Sequence, residues 1–193
     1  MADNHMHDIA TGKLYRALLR LMDEKPFSEI SVSELSHRAG TSRMAFYRNY
    51  KSIGDILLQH LEEQMLRYTH RCSQLEQLTE RSIWVEFFAE LKRDALLPYL
   101  NRANLTDEII QIHKKAAFYV YRELFHMNFT EQKNVILLYQ RLGSMMGILL
   151  YLNDYPQDSD PEQLADMVLS MVAGDAEIEI TRNFVSTCIM AQL

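Results

Sequence analysis

The spacing of apolar residues along the chain predicts a succession of helices. Ala10, Leu14, Ala17, Leu18 and Leu21 recur at three- and four-residue intervals and predict a first helix that ends at Glu24–Glu29. Ser31 stands where an N-cap is wanted, with Glu34 three residues on to complete a capping box, and a short helix follows that buries Val32, Leu35 and Ala39. Gly40 supplies a turn residue free to take positive φ. Thr41 or Ser42 then caps a second short helix whose inward residues are Phe46 and Tyr50. A longer amphipathic helix carries Ile53, Ile56, Leu57, His60, Leu61, Gln64 and Met65 on one face.

The polar run Ser73–Ser82 reads as a loop or boundary. Beyond it Trp84, Phe87, Phe88, Leu91 and Ala95 fall at helical spacing, in a helix expected to stop or kink at Pro98. Further helices are expected over about 106–126 and 130–152, and a last one with Asp160 as N-cap and Pro161 in the first position. Only Ala176–Thr181 alternates, over a stretch too short to separate strand from helix, and residues 174–193 receive no assignment. The expected fold is all-α.

Composition narrows the picture. With 193 residues and a hydrophobic share of 48%, the chain can bury a full-sized core. Cys72 and Cys188 are too few for a disulfide framework and read as ordinary thiols. The N-terminal residues lack the basic head and apolar core of a signal peptide. The longest apolar run, Met145–Leu152, is far short of the ~20 residues of a membrane span. A cytoplasmic protein with no membrane partner is expected. No His-Glu-x-x-His, Gly-rich phosphate loop, Gly-x-Ser-x-Gly or Cys-x-x-Cys occurs, so an enzyme is not expected. Nor is a cofactor or metal site: His5 and His7 are assigned to an unstructured tail, and His113 and His126 are too far apart to share an ion.

Charge is where the chain departs from uniformity. The net charge is −6, yet residues 1–60 hold 8 Lys and Arg against 7 Asp and Glu, while residues 61–193 hold 12 against 19. Between Ser36 and Gly54 there is no acidic residue, and this window and its edge carry His37, Arg38, Arg43, Arg48 and Lys51. An acidic body repels nucleic acid, so any DNA binding must be local and aimed. Two short helices joined by a tight turn, the second bearing cations and the small residues Thr41, Ser42 and Ala45, form a helix-turn-helix pattern whose second helix can approach a major groove closely.

Over Ile9–Leu58 the stretch "FSEISVSELSHRAGTSRMAFYRNYKS" with the following "DILL" resembles the TetR family of bacterial transcriptional regulators, with Ala39-Gly40, Ser42, Phe46-Tyr47 and Tyr50 standing where that family's motif places them. The resemblance implies a three-helix DNA-binding domain over residues 8–52 on a larger helical effector-binding and dimerisation domain over residues 53–193. It implies that Thr41, Ser42, Arg43, Met44 and Tyr47 face DNA, with Ser31 and Ala45 in the same contact set. Arg43 and Met44 are expected at base edges, and Tyr47, Arg48, Asn49 and Lys51 at phosphates. The family often has Lys at the position of Ile53, so here the phosphate contact of the fourth helix rests on Lys51 or on backbone N–H groups.

In the segment 130–152 one apolar face is formed by Val135, Leu138, Leu142, Met145, Met146, Leu149 and Leu152, and a second by Ile136, Tyr139, Gly143, Gly147 and Leu150. A helix apolar on two sides is either enclosed by its own domain or packs a second chain. The resemblance implies the latter, a homodimer through this helix and the next, with Leu164, Val168 and Met171 completing the interface. Such a dimer would read a palindromic operator. A partly apolar small-molecule effector is expected in the body, where Trp84, Phe88, Tyr119, Phe125 and Met146 are candidates for a pocket, though such stripes also serve as plain core. Repression is the default by analogy. Activation, or a ligand-binding or adaptor dimer that has lost specific DNA binding, are the alternatives the sequence leaves open.

Overall fold

The computed structural model describes residues 2–94, 96–155 and 160–172. Among these are α1 (Ala2–Glu24), α2 (Val32–Ala39), α3 (Arg43–Asn49), α4 (Gly54–Ser73), α5 (Glu80–Arg93), α6 (Leu97–Arg102), α7 (Thr106–Tyr119), α8 (Gln132–Asp154) and α9 (Pro161–Val172), with no strand among the described residues. The all-α expectation holds. The "EIEIT" stretch and the C-terminal residues left unassigned lie outside the described residues, as do Ala95 and Cys188.

The first three helices wrap one small core. Leu14, Leu18 and Leu21 of α1 meet Leu35 of α2 and Phe46 of α3, all fully buried. Each short helix begins on a side-chain cap: Ser31 Oγ accepts from the N–H of Glu34 at 3.2 Å, and Ser42 Oγ accepts from the N–H of Ala45 at 3.0 Å. Ser42, rather than Thr41, is thus the cap of α3. Gly40 closes α2 in the left-handed conformation at φ 62°, where a Cβ would be strained. The capping box expected at α2 is only half made, because Lys25 Nζ donates to the Glu34 carboxylate at 2.5 Å and draws it away from the helix start.

The head is fastened to the body along α4. Tyr15 of α1 stacks on His60, ring centroids 3.4 Å apart, and Arg102 of α6 donates to the Met22 carbonyl at 2.8 Å. Within the body, α5 lies against α4 and α9, and α7 lies between α4 and α8. Glu90 of α5 is 1% exposed and receives Arg67 Nε at 2.8 Å, Arg93 Nη1 at 3.2 Å and Arg71 Nη2. Burial raises this carboxyl, but the hydrogen bonds from the arginines outweigh it and hold Glu90 below its ordinary range. Arg81 forks onto Asp166 at 2.6 and 3.0 Å and so ties α5 to α9.

Three expectations are corrected. His5 and His7 lie within α1, not in an unstructured tail. Pro98 does not stop the helix before it: α5 ends at Arg93, and Pro98 sits in the first turn of α6, where its missing N–H costs no hydrogen bond. The helix expected to reach His126 ends at Tyr119 and passes into a π-helical turn over Val120–Leu124, with Phe125 N–H bonded to the Val120 carbonyl at 3.1 Å and His126 at φ 54°. By length and composition alone α8 taken whole is long and apolar enough to cross a membrane, a test that the core helix of a globular domain also passes, and this overturns no expectation. Its two apolar faces account for that. Leu138, Leu142, Met145 and Leu149 are buried in the protein's own core, whereas Ile136, Tyr139 and Leu150 are exposed.

Candidate nucleic-acid interface and body cavity

α3 presents its polar side outward. Met44 is 73% and Tyr47 52% exposed, and Arg43, Arg48 and Lys51 are exposed as well. These three cations form no ion pair with described residues. Arg38 differs: both its terminal nitrogens engage Glu24, at 2.7 and 2.8 Å, so it braces α2 against α1. The acid-free window therefore leaves a surface of free cations beside one paired cation. Phe46, fully buried, stands edge-on to Tyr47 at 5.2 Å and sets the direction of that exposed ring.

The other members of the expected contact set are less free. Ser31 and Ser42 accept capping hydrogen bonds, leaving their O–H hydrogens to donate. Ala45 is half-buried, and Asn49 Nδ2 donates to the Ala45 carbonyl at 2.8 Å. Thr41 Oγ1 is buried without a partner. At the start of α4, Asp55 takes the N–H groups of Lys51 and Ser52 at 2.8 and 3.1 Å, and Ser52 Oγ takes the N–H of Asp55 at 3.3 Å. Three of the backbone donors near the start of α4, those of Lys51, Ser52 and Asp55, are thus already engaged. Burial raises the Asp55 carboxyl, and the bonds from Ser52 and Lys51 more than reverse it, so Asp55 stays ionised below the ordinary carboxylate range.

In the body, Ile136, Tyr139 and Leu150 form the exposed face of α8, and a Cβ built on Gly143 or Gly147 would meet nothing within 4 Å. Leu164 is half-buried, but Val168 is buried within the protomer, and Met167 beside it is exposed. Met171 lies in α9.

Of the five pocket candidates only Trp84 lines the enclosed cavity between α4, α5, α7 and α8. Phe88 backs Trp84 in a stack at 5.8 Å, and Phe125 stacks on Tyr121 at 5.7 Å. Met146 is half-buried against the core, and Tyr119 lines an open groove of about 480 Å³ between α4 and α7. The cavity itself, with about 30 Å³ of free space, is walled also by Met65, His113, Tyr121, Arg141 and Met145. His113, weighed above only as a metal ligand, and Arg141 are not among the pocket residues expected from the sequence. Their signal was a polar residue within an apolar stripe, Ile109–His113–Ala116 on α7 and Leu138–Arg141–Met145 on α8.

A helix-turn-helix head with an exposed, cation-bearing second helix, set on a helical body, is the arrangement of a DNA-binding regulator. Residues 14–59 match the family described as bacterial regulatory proteins, tetR family. That match identifies the head as the N-terminal helix-turn-helix domain of this family; the rest of the chain lies outside it. Among curated proteins none matches the chain. Among solved structures the chain is similar to Lin0861 from Listeria innocua, with a TM-score of 0.73 at 18% identity over 88% of this chain and 92% of that one. It is also similar to the transcriptional regulator FadR from Bacillus subtilis in complex with stearoyl-CoA, with a TM-score of 0.53 at 16% identity over 82% of this chain and 95% of that one. At these identities the likeness extends to the fold.

Proposed function

We propose that the protein is a homodimeric, sequence-specific repressor that reads a palindromic operator and is released by a small, partly apolar effector. The observation that carries this reading is the free cationic surface of α3, with Arg43, Met44, Tyr47 and Arg48 exposed around a rigid aromatic anchor. Arg43 and Met44 read base edges, while Arg48 and Lys51 hold phosphates, with Tyr47 and the hydroxyls of Ser31 and Ser42 beside them. Thr41, whose Oγ1 is buried, and Asn49, whose Nδ2 is engaged by the Ala45 carbonyl, shape the approach more than they bind, as does the half-buried Ala45.

Two copies associate through the outer faces of α8 and α9. Exposed Ile136, Tyr139 and Leu150 flank the open groove at Gly143 and Gly147, which suits a helix approaching closely. Two α3 helices then address half-sites about one turn of DNA apart, ~34 Å. An effector in the body acts by preferring one separation of the heads over another. FadR, similar in fold, is bound to stearoyl-CoA, which supports an apolar occupant for a body of this shape.

Selection of bound duplexes from a random pool, at near-physiological salt, tests the reading. An inverted repeat is expected, together with a dimer by analytical ultracentrifugation. Recovery of no motif, with binding that disappears as salt rises, overturns it.

A further inference from the structure

Three residues that line the cavity in the body each carry a buried polar atom without a partner: Trp84 Nε1, His113 Nε2 and Arg141 Nη1. Trp84 is 5% and His113 2% exposed, so ordinary solvent does not satisfy them. Their hydrogen-bonding characters follow from their other contacts. Trp84 Nε1 and Arg141 Nη1 are donors only. His113 Nδ1 lies 2.8 Å from the Ile109 carbonyl, which can only accept, so Nδ1 carries the proton. Burial pushes this imidazole below its ordinary range and keeps it neutral, against the weaker opposing effect of the Ile109 bond. Nε2 is therefore a bare acceptor. The cavity wants two acceptor lone pairs and one donated hydrogen.

Charge decides between the ligand classes that remain. Arg141 is already matched: Glu80 receives its Nε at 2.5 Å and Nη2 at 2.7 Å, and Glu80 also accepts from the Tyr121 hydroxyl at 3.0 Å. An anion in the cavity would meet an arginine already paired with Glu80 and a neutral histidine. A hydroxyl group supplies two lone pairs and one hydrogen with no charge. The rest of the wall, with Ile83, Phe87, Met65 and Met145, is apolar.

Resting on the effector site proposed above, we infer that this cavity binds an uncharged, largely apolar molecule bearing a hydroxyl group, which accepts from Trp84 and Arg141 and donates to His113. About 30 Å³ is room for roughly one water, so the ligand enters by displacing side chains. Met65 and Ala116 line both this cavity and the open groove between α4 and α7, where Leu66 is 68% exposed. Met65 is unbranched and can swing aside. The π-helical turn at Val120–Leu124 contributes Val120 and Tyr121 to the opposite wall, and such turns concentrate at functional sites.

Trp84 is the chain's one tryptophan, so its emission reports on the cavity without recourse to DNA. Full-length protein is titrated with 4-propylphenol, 4-propylanisole, propylbenzene and octanoate. The phenol is expected to bind about tenfold more tightly than the anisole, which lacks the donated hydrogen, and octanoate more weakly than either. In His113→Phe the phenol and anisole should differ by no more than about twofold. The comparison in the unaltered protein decides the matter even where that variant fails to fold. Equal affinities for the three neutral probes, or preferential binding of octanoate, overturn the inference. So does absence of binding by all four, which assigns the cavity to a structural water. Phenol binding that leaves operator affinity unchanged keeps this inference and sinks release by the effector. Specific operator binding by a protein that gives no phenol response overturns this inference and leaves the reading of DNA standing.

Discussion

The outer surface of α3 and the cavity of the body are both candidate binding sites, and they are built in opposite ways. On α3 the polar groups stand free in water, one segment supplies them all, and burial of Phe46 merely aims them. In the cavity the polar groups come from α5, α7 and α8, none adjacent in sequence, and their character depends on what each partner has already taken. Ile109 determines which nitrogen of His113 accepts, and Glu80 determines how much charge Arg141 has left to offer. An exposed site is thus defined by which residues are present, a buried one by which of their hydrogen bonds remain unmade. Water satisfies whatever α3 leaves open, whereas the interior has no such reserve.

That contrast breaks most sharply under Arg43→Ala combined with Arg48→Ala. Operator affinity should fall by about 100-fold or more at fixed salt, with a shallower salt dependence and an unchanged melting temperature. Fluorescence anisotropy checks the first two, and calorimetry the third. A drop in melting temperature of several degrees would show that the surface of α3 is not separable from its core.

Glu90→Leu addresses the interior. Removing the carboxylate leaves Arg67 with only Asp94 at 3.3 Å, and Arg71 and Arg93 sharing Glu86 at 3.8 and 3.7 Å; since the arginines are partly exposed a loss of about 2–3 kcal/mol is expected, below the figure for a fully buried pair. Urea denaturation measures it, and a change under ~0.5 kcal/mol would mean that solvent already screens the cluster.

Gly40→Ala places a side chain at φ 62° in open space, so backbone strain alone acts, at about 1–2 kcal/mol. The same urea experiment reads it, and operator affinity should weaken only as far as α2 and α3 lose their mutual angle.

The smallest effect concerns pH. Burial lowers the folded-state pKa of both His60 and His113 from the ordinary 6.5, against smaller opposing contributions from Glu63 at His60 and Ile109 at His113. The unfolded chain then takes up protons more readily than the folded one, so stability is fully present above about 6.5 and is lost as pH falls below it. His113→Phe should flatten part of that decline in denaturation midpoints measured between neutral and mildly acidic pH. An unaltered slope would mean that His113 is protonated in the fold.

By itself the sequence determined the head almost completely. Ser31, Gly40 and Ser42 are caps and turns whose partners lie within a few residues, and the interval between Ser36 and Gly54 shows its absence of acid directly. It determined the two faces of α8 for the same reason, since helical periodicity is a local property. Only the tertiary structure decided how those features are used. Glu34 left its capping box for Lys25, Arg38 was withdrawn from the cationic surface by Glu24, and Asp55 filled the donors at the start of α4. The turn after Tyr119 widened to a π-helical one, and Val168 went inward while Met167 stayed out. Of the aromatic candidates for a pocket, packing kept Trp84 at the cavity and brought it His113 and Arg141 from helices far along the chain. The physical reason is the range of the interactions: caps, turns and periodicity act over one helical turn, while the state of a buried hydrogen bond depends on every group the fold brings within about 3 Å.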